Sequence, residues 1–183
     1  FIRLALGLVR PSSGSVRVMG HALAHDRMAA LAQVGYLPGE LGLYPSLTGR
    51  RTLDVLARLH PRPPLLREEL CAALDLGGAA RGRGGRESGG GIKKRRGGVG
   101  ARHPPPPLAI LDEPTGGLDP VIQARLLDWL AGRARAGRTI FFSSHVLAEV
   151  EALCDRAAMV RDGRLLFAGR LGDLRAARSR SVE

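Results

Sequence analysis

Leu108-Ala109-Ile110-Leu111-Asp112-Glu113-Pro114-Thr115-Gly116-Gly117-Leu118-Asp119-Pro120 decides the fold. Four apolar residues run straight into two acids and then into a sharp turn. An unbroken apolar run of that kind reads as a strand buried on both faces, the pattern of parallel sheets. Open α/β sheets bind ligands in the crevice outside the carboxyl ends of their strands, so Asp112 and Glu113 are predicted to border such a crevice. Two adjacent carboxylates there repel each other and lose hydration, and a magnesium ion or a bound phosphate is the expected compensation. The pattern points to metal-assisted phosphate chemistry. An ordinary strand ending in a polar loop is the plain alternative, and an isolated Asp-Glu pair would favour it.

Downstream, Asp119 is placed to cap a helix that Pro120 starts, since proline lacks the N–H that the first turn cannot use and its φ is preset. Ile122, Leu126, Trp129 and Leu130 make the apolar face, with Trp129 read as core, and Gly137 is positioned to end the helix. Thr139 to Ser144 reads as a second buried strand, and His145 follows at its carboxyl end, the same edge as Asp112 and Glu113. A helix with Leu147, Val150, Leu153 and Cys154 on one face comes next. Ala157 to Arg161, the turn Asp162-Gly163 and Arg164 to Gly169 read as a β-hairpin. Leu171 to Arg180 is a polar, frayed end.

Upstream, Gln33 to Leu37 is a strand entering a loop at Pro38-Gly39. Phe1 to Val9 reads as a mostly buried helix stopped by Pro11, and Ser15 to Met19 as a short strand closed by Gly20. Thr48 is an N-cap candidate for a helix carrying Leu53, Leu56 and Leu59, and His60-Pro61-Arg62-Pro63-Pro64 breaks it. A second helix presents Leu66, Leu70, Ala73 and Leu74 on one face. His60 reads as a solvated helix-end residue, and His21, His25 and His103 have no context that assigns them.

The chain has 183 residues and a net charge of +11. That charge invites a nucleic-acid reading. It is, however, local: eight bases and one acid lie between Arg81 and His103, and removing them from the 28 bases and 17 acids leaves 20 against 16. No aromatic residue interleaves the bases, which disfavours stacking on single strands and hence nucleic acid as a partner. No apolar run is long enough to span a bilayer, so a membrane role needs a separate partner. Cys71 and Cys154 have no metal-like spacing and read as buried free thiols in a reducing cytosol. The opening from Phe1 lacks the zones of a signal peptide, and the chain is expected to begin mid-fold.

The Leu108 to Pro120 stretch resembles the Walker B motif and D-loop of the ATP-binding cassette (ABC) ATPases. Ser143-Ser144-His145 with the following helix resembles their H-loop, and Asp155 with the final hairpin their C-terminal part. Ile2 to Gly20 resembles the segment immediately after the family's P-loop, so the Gly-rich phosphate cradle would precede Phe1. Gln33 to Glu40 resembles the Q-loop, with Gly39 where the family's Gln is expected; Glu40 reads as solvated rather than as its substitute, and Gln33 lies on the wrong side of the strand. Ser88-Gly89-Gly90-Gly91-Ile92-Lys93-Lys94-Arg95 keeps the outline of the signature motif, with Glu87 where Leu is usual and one extra residue. Beyond Arg95 the likeness fails, and it returns at Leu108.

With eleven glycines from Gly77 to Gly100 and four prolines from Pro104 to Pro107, that block cannot hold a helix. It is a basic nucleic-acid-binding loop, an eroded signature helix, or a span read out of frame; the abruptness of both boundaries favours the last.

The resemblance implies one α/β domain over 1–183: a P-loop NTPase-like, mostly parallel sheet with flanking helices, incomplete at the N-terminus, with a helical subdomain over 46–106 that includes the degenerate signature. It implies the ATP-hydrolysing subunit of an exporter-type ABC transporter, using ATP and Mg2+. A transmembrane permease subunit and a second ATP-binding domain in a head-to-tail dimer are the implied partners, at the cytoplasmic face of the cell membrane. Asp112 is implied for the metal, Glu113 for polarising the attacking water and His145 for the γ-phosphate. Asp119, Gly116 and Gly117 are implied for communication across the dimer, with Gly116 standing where Ser is common, and Ser88, Gly89, Gly90 and Gly91 for nucleotide contact. The chain as it stands is expected to be inactive for want of a P-loop. A soluble ABC-type ATPase acting on nucleic acid or ribosomes, or a non-functional gene fragment, is the alternative; the former usually carries two cassettes, and this chain shows no internal repeat.

Overall fold

The computed structural model describes residues 1–39 and 106–173. Apart from Pro106, the helical subdomain expected over 46–106 lies outside the described residues, as do Glu40, both helices after Thr48, Cys71, the signature-like Ser88, Gly89, Gly90 and Gly91, and most of the C-terminal end. The chain forms two compact units, residues 1–143 and 144–183.

The first unit is built on three parallel strands in the order β3 (Val34–Leu37), β4 (Leu108–Asp112) and β5 (Thr139–Ser143). The apolar run is therefore the middle strand, as its unbroken hydrophobicity requires. Alternation sends Ile110 and Leu111 to opposite faces, and both are buried. Ile110 and Val34 join Leu6, Val18 and Ala30 in a core cluster on one face. The helix α3 (Pro120–Arg135) links β4 to β5 and buries Ile122, Leu126 and Leu130 at four-residue spacing. Each such side chain contributes about 1.5–3 kcal/mol by leaving water. The result is a mostly parallel sheet with flanking helices.

Several local expectations are corrected. The opening helix α1 spans only Ile2–Ala5 and buries none of its residues. Gly7, at φ 63°, ends it well before Pro11: its N–H bonds Leu4 O at 2.9 Å and Leu8 N–H bonds Arg3 O at 2.9 Å, a glycine-dependent stop that leaves Leu8 and Val9 exposed. The strand expected over Ser15 to Met19 is half of a hairpin, β1 (Arg17–Val18) against β2 (His21–Ala22). Met19 and Gly20 both take positive φ, the turn that matches strand twist. A short helix α2 (Arg27–Ala32) follows, which the sequence reading did not anticipate. β5 is not buried: Thr139 and Phe141 are exposed, because β5 pairs only with β4 among the described residues. Trp129 is half-buried rather than core, with the Arg133 guanidinium 5.2 Å from its ring centre.

In the second unit, helix α4 (Leu147–Leu153) precedes the expected hairpin β6 (Arg156–Arg161) and β7 (Arg164–Arg170), whose turn places Asp162 and Gly163 at positive φ. A bulge follows Met159. The residue that α4 buries is Glu149, while Leu147, Val150, Leu153 and Cys154 are only half-buried. Ser144 explains the burial: its hydroxyl donates to Glu149 Oε2 at 2.6 Å and accepts Val146 N–H at 3.0 Å. Ser144 lies two residues before the N-cap Val146, so its hydroxyl links the N-cap amide to the third-position glutamate without capping the first turn itself. The Cys154 thiol is free, and burial followed by the nearby Asp155 charge pushes its pKa up. Among the described residues no helix is long and apolar enough to cross a membrane.

Candidate functional site

Parallel register brings three strand ends to one edge of the sheet. Leu37 pairs with Leu111 and Asp112 with Ser143, so Pro38-Gly39, Asp112-Glu113 and Ser143 converge there. Gln33 sits at the opposite end of β3, where it closes α2. Gly39 lies directly beside Asp112: a Cβ on it would be 3.5 Å from Asp112 Oδ2 and 3.4 Å from Asp112 O, ordinary contact distances. The position expected to carry a glutamine therefore adjoins the acid, and a Cβ there would meet it without a clash.

Asp112 is half-buried, and its Oδ1 accepts the Ser143 hydroxyl at 2.5 Å. Glu113 is exposed and held at φ 44°, a left-handed conformation that a glutamate rarely adopts. Its N–H is shared between Ser143 Oγ at 3.1 Å and Ser143 O at 3.2 Å. Burial raises the Tyr36 phenol above its ordinary pKa, the Asp112 charge adds to that, and Arg3 opposes it.

The chain then turns back under its own bonds. Pro114 and Thr115 are buried, Gly116 N–H bonds Glu113 O at 3.1 Å, and Leu118 N–H bonds Thr115 O at 3.0 Å. Gly117, at φ 72°, supplies a conformation that favours glycine. Asp119 caps α3 as expected, its Oδ1 accepting Ile122 N–H at 3.0 Å. From α3, the Gln123 side chain donates to Thr115 O and Leu118 O at 3.3 Å each, stapling the loop. His145 belongs to the second unit and is exposed, between Ser144 and Val146, whose backbone the Ser144 hydroxyl ties down. The sequence reading missed Gln123 and the individual part played by Ser143. Helical spacing from Asp119 could have signalled the first, but only the strand register reveals the second.

A parallel α/β sheet with an acid pair ending its middle strand and a glycine loop leading into a capped helix fits the P-loop NTPase-like class, and the Leu108 to Pro120 motif resembles its ABC form. The comparisons with known proteins agree. The chain is 36% identical over 178 residues to an uncharacterized ABC transporter ATP-binding protein of Nostoc sp., covering 94% of this chain and 52% of that one. It is 34% identical over 171 residues to the bacitracin transport ATP-binding protein BcrA of Bacillus licheniformis, covering 90% and 54%. A solved structure described as the ATP binding subunit of an ABC transporter superposes with a TM-score of 0.82 at 29% identity, covering 97% of this chain and 75% of that one. No protein-family model matches. Over nearly its whole length the chain is thus homologous to ABC transporter ATP-binding proteins and has their fold, and it spans about half the length of these two curated relatives.

Proposed function

We propose that this chain is part of the ATP-hydrolysing subunit of an ABC transporter of the exporter kind, working at the cytoplasmic face of a membrane with a transmembrane permease. The homology supports the subunit class, the bacitracin transport relative supports a transport role, and the export direction is what the sequence resemblance implies. The observation that carries the chemistry is the convergence of Asp112, Glu113 and Ser143 at the carboxyl end of the parallel sheet.

The donor set fits magnesium. Among the described residues no three or more His, Cys, Asp or Glu side chains gather to hold a metal by themselves. Magnesium is commonly held by one or two carboxylates together with waters and substrate phosphates, which Asp112 beside Glu113 can supply. Bound there with ATP, the ion would neutralise charge on the transferring phosphoryl group. Asp112 holds that ion through its carboxylate, and the exposed Glu113 polarises the attacking water. His145 meets the γ-phosphate, and Asp119 with Gly116 and Gly117 contacts a second ATP-binding domain across a head-to-tail dimer. Ser88, Gly89, Gly90 and Gly91 stand for the signature motif, within the helical subdomain proposed over 46–106. Phosphoryl transfer asks a protein mainly for charge neutralisation and an oriented nucleophile, and these residues supply both.

The test joins residues 1–183 to a preceding Gly-rich, Lys-bearing loop and replaces the 77–107 block with a regular signature helix. The parent polypeptide is expected to hydrolyse ATP only with magnesium. Glu113→Gln keeps the side chain's size and loses the base, so turnover should fall by about 10²–10⁴-fold while nucleotide-bound dimers accumulate. Equal turnover in the two proteins excludes Glu113 from the role.

A further inference from the structure

The Ser143 hydroxyl bonds both acidic residues, the Asp112 carboxylate and the Glu113 backbone amide. A serine hydroxyl has one proton to donate and two lone pairs to accept with. Here the proton goes to Asp112 Oδ1 at 2.5 Å, a charge-assisted distance, and a lone pair takes Glu113 N–H at 3.1 Å. The Ser143 carbonyl takes that same N–H at 3.2 Å.

We propose that Ser143 is a positioning residue for the acid pair, selecting Asp112 Oδ2 as the oxygen offered to the metal and holding Glu113 in its left-handed conformation. The inference rests on the reading of Asp112 as the metal ligand. With Oδ1 engaged by the hydroxyl, the carboxylate is fixed in rotation, and Oδ2 lies on the side of Gly39, a residue that has no side chain of its own. Glu113 at φ 44° carries backbone strain of about 1–3 kcal/mol, which persists only where the surroundings over-determine it. The doubly held N–H supplies that constraint. Register makes the arrangement possible: Ser143 is the ladder partner of Asp112, so the hydroxyl reaches across one strand spacing to the acid and to the next amide. A serine that merely closed a strand end would affect stability and leave metal affinity unchanged, whereas partners that orient a ligand typically change affinity by about 10–100-fold when removed.

The experiment titrates isotope-labelled residues 1–183 with Mn2+, as a paramagnetic substitute for Mg2+, and follows broadening of the Asp112 and Glu113 amide signals by NMR. The parent should show saturable broadening at these amides that Asp112→Asn removes. Ser143→Ala should weaken the midpoint by about 10–100-fold. Ser143→Thr, which keeps the hydroxyl, should titrate like the parent. If Ser143→Ala loses the dispersed spectrum of a folded chain, Ser143→Cys takes its place, near in shape but a poor donor, with the same weakening expected. Parent-like affinity in the variant without a hydroxyl overturns the positioning role and leaves Asp112 as the ligand. So does a Ser143→Thr protein as weak as Ser143→Ala. Broadening absent from these amides, or unaffected by Asp112→Asn, overturns the reading of Asp112 and this inference with it.

Discussion

Glu113, Met19 and Asp162 are the described non-glycine residues with positive φ, at 44°, 51° and 49°. Met19 and Asp162 each precede a glycine in a hairpin turn, where twist demands the conformation. Glu113 has no such excuse in its own neighbourhood: it precedes Pro114, and its conformation is held from another strand by Ser143. The same crowding reaches Tyr36, whose phenol is raised first by burial and then by Asp112. A group with a raised pKa stabilises the fold fully below its unfolded value, about 10 for tyrosine, and that contribution is lost as pH climbs through the folded value. Urea midpoints measured upward from pH 9 should therefore fall through this alkaline range, and Tyr36→Phe should flatten the fall. An unchanged profile in the variant would assign the loss to other groups.

At the scale of elements, glycine position outweighs apolar periodicity. Gly7 and Gly137 end α1 and α3 with the same paired bonds, Gly137 N–H to Ala134 O at 2.9 Å and Arg138 N–H to Arg133 O at 3.1 Å in the second case. At Gly137 the apolar pattern stops where the glycine does, so the boundary was legible. Leu8 and Val9 carry the apolar pattern past Gly7, which is why a helix to Val9 reads plausibly and is wrong. In the β1–β2 hairpin a methionine occupies a turn position that favours asparagine. Met19→Asn should relieve left-handed strain and raise unfolding stability by about 1 kcal/mol, read as a higher urea midpoint at unchanged slope. A lower midpoint would mean that the half-exposed Met19 side chain contributes more by packing than its backbone costs.

At the largest scale, residues 1–183 contain the acid pair but no Gly-x-x-x-x-Gly-Lys-Ser or Gly-x-x-x-x-Gly-Lys-Thr loop. Such a loop supplies the N–H cradle and the cation for the β- and γ-phosphates. The acid pair can hold a metal and repels bare triphosphate. This polypeptide alone should accordingly show no saturable heat with magnesium-ATP in calorimetry at physiological salt, where loose attraction to the Arg81 to Arg102 block is screened over about 8 Å. Micromolar binding that Asp112→Asn abolishes would establish a phosphate site that works without the loop.

Patterns confined to a few neighbouring residues were settled in the chain itself. The run Leu108 to Leu111 ending in Asp112 and Glu113, the Asp119-Pro120 helix start and the Asp162-Gly163 turn each act through bonds or burial that span a handful of positions. Tertiary pairing decided the rest, because contact there depends on register rather than on distance along the chain. Ser143 reaches Asp112 across 31 residues, and Gly39 meets it from the loop after β3, the strand on the other side. Glu149 is buried with its carboxylate accepting the Ser144 hydroxyl, a burial that nothing in the apolar pattern of its helix signals. A polar group's surroundings are set by what folds against it, and no local pattern carries that information.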